Sequence, residues 1–149
     1  MALVDLIGQD MKTAMKNKDK DRLNAIRAIK SELLLQKTKD PSVEITEADE
    51  IKILQKLKKQ RVESAEVYEA QGRPDLAKEE RFQAEVVSAY LPEQLEGEKL
   101  MEVVREIIQK VGASGPGDMG KVMGVASKEL AGKAAGRDIS SAVKAILSA

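Results

Sequence analysis

Leu100-Met101-Glu102-Val103-Val104-Arg105-Glu106-Ile107-Ile108-Gln109-Lys110-Val111 is the stretch on which the fold turns. Leu100, Val103, Val104, Ile107, Ile108 and Val111 recur at intervals of three and four, the signature of a helix buried along one face. Downstream, Gly112 to Gly117 reads as a loop, and Met119, Val122, Met123, Ala126 and Leu130 repeat the helical spacing with Asp118 as N-cap. Gly132 to Arg137 is a second loop, after which Asp138 is expected to cap a last helix holding Ile139, Val143, Ile146 and Leu147 inside. Upstream, Pro92 to Gly97 marks a lobe boundary, dividing the chain into 1–92 and 93–149.

The N-terminal lobe reads the same way. Leu3, Leu6, Ile7, Met11 and Met15 form a stripe in a first helix running to Asn17. Asp19 or Asp21 caps a second helix over Arg22 to Lys39, with Leu23, Ile26, Ile29, Leu33 and Leu34 inside. Asp40-Pro41-Ser42 breaks it, because proline disfavours helix in the residue before it. Thr46 with Asp49 offers a capping box for a third helix that Gly72 stops after Gln71. Pro74, at a first-turn position, opens a fourth that ends near Tyr90-Leu91-Pro92. No alternating strand and no fixed-period repeat is found. The expectation is an all-α chain of two lobes, a long-helix N-terminal lobe and a small three-helix C-terminal one.

Composition agrees and narrows the chemistry. With one Phe, two Tyr and no Trp, the core must be aliphatic, which favours helix over strand. The chain has no Cys and no His, which excludes disulfides, thiol catalysis, imidazole bases and the usual zinc sites. Asp and Glu remain available for Mg²⁺, but no spacing points to a metal site and none to a cofactor. No apolar run approaches the roughly 20 residues that span a bilayer, and the start lacks a basic segment, so a cytoplasmic setting without membrane contact is expected.

Lys and Arg number 25 and balance 25 Asp and Glu. Their distribution is uneven. From Gln109 to Ala149 six basic residues (Lys110, Lys121, Lys128, Lys133, Arg137, Lys144) face three acids (Asp118, Glu129, Asp138), a local +3. Within that segment, Gly115-Pro116-Gly117-Asp118-Met119-Gly120-Lys121 matches both G-x-G-x-x-G and G-x-x-x-x-G-K. Both patterns need a preceding strand, whereas a helix precedes this one, and Val122 stands where a P-loop needs Ser or Thr for Mg²⁺. Glycine punctuation between two helices explains the match. A helix N-terminus still carries free N–H groups and a partial positive charge that suit phosphate, and Lys121 and Lys128 lie two turns apart on one face with Gly124 between them.

Tyr90-Leu91-Pro92-Glu93-Gln94-Leu95 followed by Asp118-Met119-Gly120-Lys121-Val122-Met123 resembles the YqeY / GatB-YqeY tail family. Arg22-Leu23-Asn24 with Arg27, Lys30 and Ser31, then Lys58 to Ser64, Gly72 to Leu76, and Gly132-Lys133-Ala134 with Gly136 extend the resemblance over essentially the whole chain. It implies a C-terminal lobe similar to the tail of the B subunit of Asp/Glu-tRNA amidotransferases, a tail implied to contact tRNA while chemistry occurs in a separate catalytic domain. Nothing here corresponds to that domain. A label of carbon–nitrogen ligase with glutamine as amide donor would be inherited from the tail, and no catalytic residue is named. Two positions depart from the family pattern: Glu96 stands where it often has a Ser helix cap, and Ala135 where it often has Asp.

Lys121, Lys128, Lys133, Arg137 and Lys144 are therefore the RNA-binding candidates, with tRNA the implied partner and no DNA expected. An ordinary solvated basic face is the plain alternative. Lys52, Lys56 and Lys59, with Lys58 and Arg61 beside them, offer a second RNA-backbone contact, or else pair with Glu63 and Glu66 along the third helix. Arg27 and Lys30 either snorkel along the second helix or pair with a neighbouring Glu. Tyr90 reads as a packed hinge residue or a base-stacking one. A helical module docking on a protein of the translation apparatus, without RNA contact, is the competing function. A stand-alone enzyme ranks behind both, with Glu80 and Glu85 the only carboxylates offered for it.

Overall fold

Local chemistry sets the helix ends. A computed structural model of the chain describes residues 2–149, and among them it has seven α-helices and no strand, as the periodicity predicts. The first four are α1 (Leu3–Lys16), α2 (Lys20–Lys39), α3 (Glu47–Ala70) and α4 (Pro74–Ser88). Of the two aspartates offered for α2, Asp19 is the cap, its carboxylate accepting from the Arg22 N–H at 3.2 Å. At α3 the expected capping box is present: Asp49 N–H donates to Thr46 Oγ1 at 3.2 Å, and Thr46 N–H donates to Asp49 Oδ2 at 3.0 Å. The Thr46 N–H, then its hydroxyl, hold the Asp49 carboxyl below its ordinary pKa.

α3 ends on a Schellman turn. Gly72 takes φ 72°, and Arg73 N–H returns to Tyr68 O at 2.8 Å. α1 ends the same way without a glycine: Lys18 sits at φ 56°, and Asp19 N–H returns to Ala14 O at 2.9 Å. A Cβ in this left-handed region crowds its own carbonyl, at roughly 1–2 kcal/mol. Lys18→Gly is accordingly expected to raise stability by about 0.5–1 kcal/mol, the relief being partly offset by glycine's larger unfolded-state entropy. The urea midpoint measures this directly, and an unchanged or lower midpoint would remove strain at Lys18 from the account.

The chain divides into two compact units, Met1–Leu91 and Pro92–Ala149. In the first, α3 and α4 form a helical hairpin, α1 packs on α2, and α2 touches both arms of the hairpin. Its core gathers Ile7 and Ala14 of α1, Ala25, Ile26, Ile29 and Leu33 of α2, Leu54 of α3 and Val86 and Val87 of α4. Burying an aliphatic side chain of this size is worth about 1.5–3 kcal/mol, so this cluster is what holds the four helices together. Not every residue assigned to a stripe is inside. Leu6, Met15 and Leu34 are exposed. Each lies one residue along from a buried neighbour (Ile7, Ala14, Leu33), and one residue is 100° of helix rotation, enough to leave the face. Tyr90 is half-buried against this core and its hydroxyl donates to the Asp10 carboxylate at 2.5 Å. Burial first, then that bond, push the phenol pKa well above its ordinary value. It is a packed residue.

The second unit is built from α5 (Gly97–Val111), α6 (Met119–Glu129) and α7 (Gly136–Leu147), each packed against the other two. Leu100, Val104, Ile107 and Ile108 of α5 meet Val122 and Ala126 of α6 and Ile139, Val143 and Leu147 of α7. Val103 and Val111, at the edges of the stripe that decided the fold, are partly buried against the same core. Gly112 ends α5 at φ 78°. Among the described residues no polar side chain is buried and none of the buried polar atoms lacks a partner.

Candidate nucleic-acid interface

The site is assembled from the polar surface of α6, α7 and the turn between them. Before α6 the chain makes a short 3-10 turn, Pro116–Asp118, closed by Asp118 N–H donating to Gly115 O at 3.0 Å. Asp118 occupies the N-cap position of α6, but its side chain makes no cap bond there. Its carboxylate turns back instead to accept from Ser114 N–H at 3.0 Å, so it braces the loop rather than the helix. The expected capping by Asp118 is thus corrected: the 3-10 turn leaves its φ and ψ at −92° and 4°, outside the extended geometry that capping requires. No acidic residue sits in the first turn of α6. A second correction concerns α7. It begins at Gly136, so Asp138 lies inside its first turn, and Ala135 is the N-cap. Ala135 and Glu96 are both N-cap positions without a side-chain cap bond.

Along α6, Gly120, Lys121, Gly124, Ser127 and Lys128 are all exposed, at spacings that put them on one face. Lys121 and Lys128 are two turns apart, about 10.5 Å along the axis. A Cβ added to Gly120 or Gly124 would meet nothing within 4 Å, so the surface between the lysines is open and low. Arg137 and Lys144 are likewise exposed and seven residues apart on α7. Lys133 is exposed on the turn joining the helices, and that turn is anchored. Leu95 N–H donates to the Lys133 carbonyl at 2.8 Å, and Gln94 Nε2 donates to the Gly132 and Pro92 carbonyls at 2.7 and 2.6 Å. The Pro92-Glu93-Gln94-Leu95 motif is therefore a clamp that fixes where Lys133 stands. Sequence spacing alone could not show this, because the partners are 38 residues apart.

The charge of this unit is segregated along the chain. Pro92 to Ile108 carries five acids against Lys99 and Arg105, whereas Gln109 to Ala149 carries six bases against three acids. One of the six, Lys110 on α5, is paired with Glu129 at 3.2 Å. The five candidate cations all lie on α6, on α7 or between them.

The other candidates sort differently. In α3, Lys59 approaches Glu63 at 4.0 Å, and Arg61 bonds Glu80 of α4 at 3.2 Å, both partly buried. That ties Glu80 to the hairpin. Glu69 and Arg81 form a second hairpin bridge at 2.7 Å, which keeps the Glu69 carboxyl below its ordinary pKa. They border a shallow groove of about 370 Å³ that Pro74, Ala77, Phe82 and Glu85 also line. Glu85 is exposed at its edge and is not brought to Glu80 by any bond. Arg27 and Lys30 are exposed and form no ion pair among the described residues, so the expected pairing with a neighbouring Glu is not seen. Among the described residues no group of three or more acidic side chains converges as a metal site requires, and no helix is long and apolar enough to cross a membrane.

Residues 4–147 match the sequence profile of the family described as Yqey-like protein. The chain belongs to the YqeY family. The match to YqeY covers both units of the chain. No curated protein matches this YqeY chain.

Proposed function

We propose that this YqeY-family chain is an RNA-contacting accessory, binding tRNA through phosphate contacts of Lys121, Lys128, Lys133, Arg137 and Lys144. The observation that carries it is the segregation of charge in the Pro92–Ala149 unit, which leaves five exposed cations on α6, α7 and their joining turn, with only Asp118, Glu129 and Asp138 among them. Glu129 is engaged by Lys110 and Asp118 by a backbone N–H, so neither is arranged to cancel the lysines. The open face between Lys121 and Lys128 lets a sugar–phosphate backbone approach closely. Relation to the tail of tRNA-dependent amidotransferases is part of the same proposal, with amide transfer assigned to a separate catalytic domain.

The test is fluorescence anisotropy of labelled bulk tRNA over a salt series. Each neutralised phosphate releases condensed counterions, giving a log–log slope of roughly −0.7 to −0.9 per contact. Three to five contacts therefore predict a slope of about −2 to −4.5. No binding at low salt would end the proposal.

A specific feature favours the second function, a helical protein-docking module without RNA. Leu34, Leu35 and Val43, at the end of α2 and just beyond it, are about half exposed (48%, 59% and 57%). That function requires a partner that survives nuclease treatment in pull-downs.

A further inference from the structure

We infer that the α6–α7 face takes base-paired RNA, holding the phosphates of a stem without reading its bases. This deepens the RNA assignment above and rests on it. Single-stranded RNA is recognised chiefly by stacking its bases on aromatic rings or guanidinium planes, and by amide side chains on base edges. The Pro92–Ala149 unit has none of the chain's three aromatic residues, which are Tyr68, Phe82 and Tyr90, and the chain has no histidine. No Asn or Gln follows Gln109. Of the unit's two arginines, Arg105 is on α5 and bonds Glu98 at 2.7 Å, leaving Arg137 as the single guanidinium on the face. The remaining candidates are lysines, which bind phosphate as point charges and carry no planar, two-pronged base readout.

The support beneath the charges argues the same way. Lys121 and Lys128 stand on one rigid helix, Arg137 and Lys144 on another, each pair about 10.5 Å apart along its axis. Lys133 is fixed between them by the Gln94–Leu95 clamp. Charges anchored at fixed backbone spacings suit phosphates that are themselves held at fixed spacings, since the lysine stems need only close the short remaining distance. A flexible strand must be ordered to match it, and that entropy is ordinarily offset by base stacking, which this face cannot supply. A stem arrives already ordered, so the same contacts come without that loss.

Competition against labelled tRNA tests this with the full chain. The competitors are two RNA hairpins of unrelated stem sequence and an unpairable RNA of equal length. Both hairpins should displace tRNA at concentrations within about threefold of each other and at least tenfold below the unpairable strand. Lys121→Glu with Lys128→Glu should raise both hairpin concentrations together. Equal or better competition by the unpairable strand overturns the inference while leaving the RNA assignment standing. A tenfold difference between the hairpins overturns it too, since the face would then read bases. If the chain binds no tRNA at all, the RNA assignment fails and this inference falls with it.

Discussion

Lys121→Glu combined with Lys128→Glu is expected to lower tRNA affinity about 100-fold at low salt and to leave the helices intact. Both lysines are exposed on α6, and neither side chain forms an ion pair or hydrogen bond among the described residues. Surface changes of this kind move stability by no more than about 0.5 kcal/mol. Circular dichroism and the melting temperature should therefore match the parent chain. Binding is different. A lost phosphate contact worth about 1.4 kcal/mol is a factor of ten, and two such contacts multiply. The salt slope should fall in magnitude by roughly 1.4–1.8, about 0.7–0.9 for each contact, which separates lost phosphate contacts from any indirect effect. The matched control is Lys52→Glu with Lys56→Glu on α3, also exposed, and expected to change the slope little. Unchanged binding in the α6 variant would remove this face from the RNA site. Loss in the α3 variant instead would move the site to the other unit.

Which features were legible in the sequence, and which were not, follows from the range of the physics behind each. Helix identity was legible because it rests on spacing within a few residues. Leu100 to Val111 announces α5, and the Thr46–Asp49 box closes as its chemistry dictates. Stripe edges were less legible, since a 100° step decides burial: Leu33 is inside and Leu34 outside. Caps failed where two local options compete. Asp118 can cap α6 or brace its own loop, and the Pro116–Asp118 turn chooses the loop. Asp138 looked like a cap because it is the acid that precedes the apolar stripe, whereas the true N-cap position, Ala135, has no side chain able to cap and so carries no signal. The candidate cations were legible as residues, and all five are exposed. What fixes them was not. The Gln94–Gly132 bond, the Leu95–Lys133 bond and the Lys110–Glu129 bridge join residues 19 to 38 apart, and no local pattern foretells such pairings. Glu80 shows the same limit from the other side: its place in the hairpin comes from Arg61, 19 residues away.

Leu54→Ala is expected to cost the first unit about 3 kcal/mol, within the 2–5 kcal/mol typical of such core truncations. Leu54 is 1% exposed and sits among Ile26, Ile29, Val86 and Val87, where α2, α3 and α4 meet. The loss has two parts, the transfer energy of the deleted methyl groups and the cavity they leave. How far that cavity collapses sets where in the range the loss falls. For a unit of about this size, such a loss lowers the melting temperature by roughly 10–20 °C. Leu35→Ala removes the same atoms from a side chain 59% exposed on α2 and should shift stability by less than about 0.5 kcal/mol. Calorimetry on the two variants compares burial at constant chemistry, and equal melting temperatures would mean that the cluster around Leu54 does not hold the hairpin. The same Leu54 variant also informs the RNA proposal. Leu54 lies in the core of the Met1–Leu91 unit, and the five cations are carried by Pro92–Ala149, whose core shares no residue with it. At 20 °C, with both units folded, Leu54→Ala should bind tRNA with the parent salt slope. Only the temperature at which binding is lost should then report any dependence of the RNA face on the first unit.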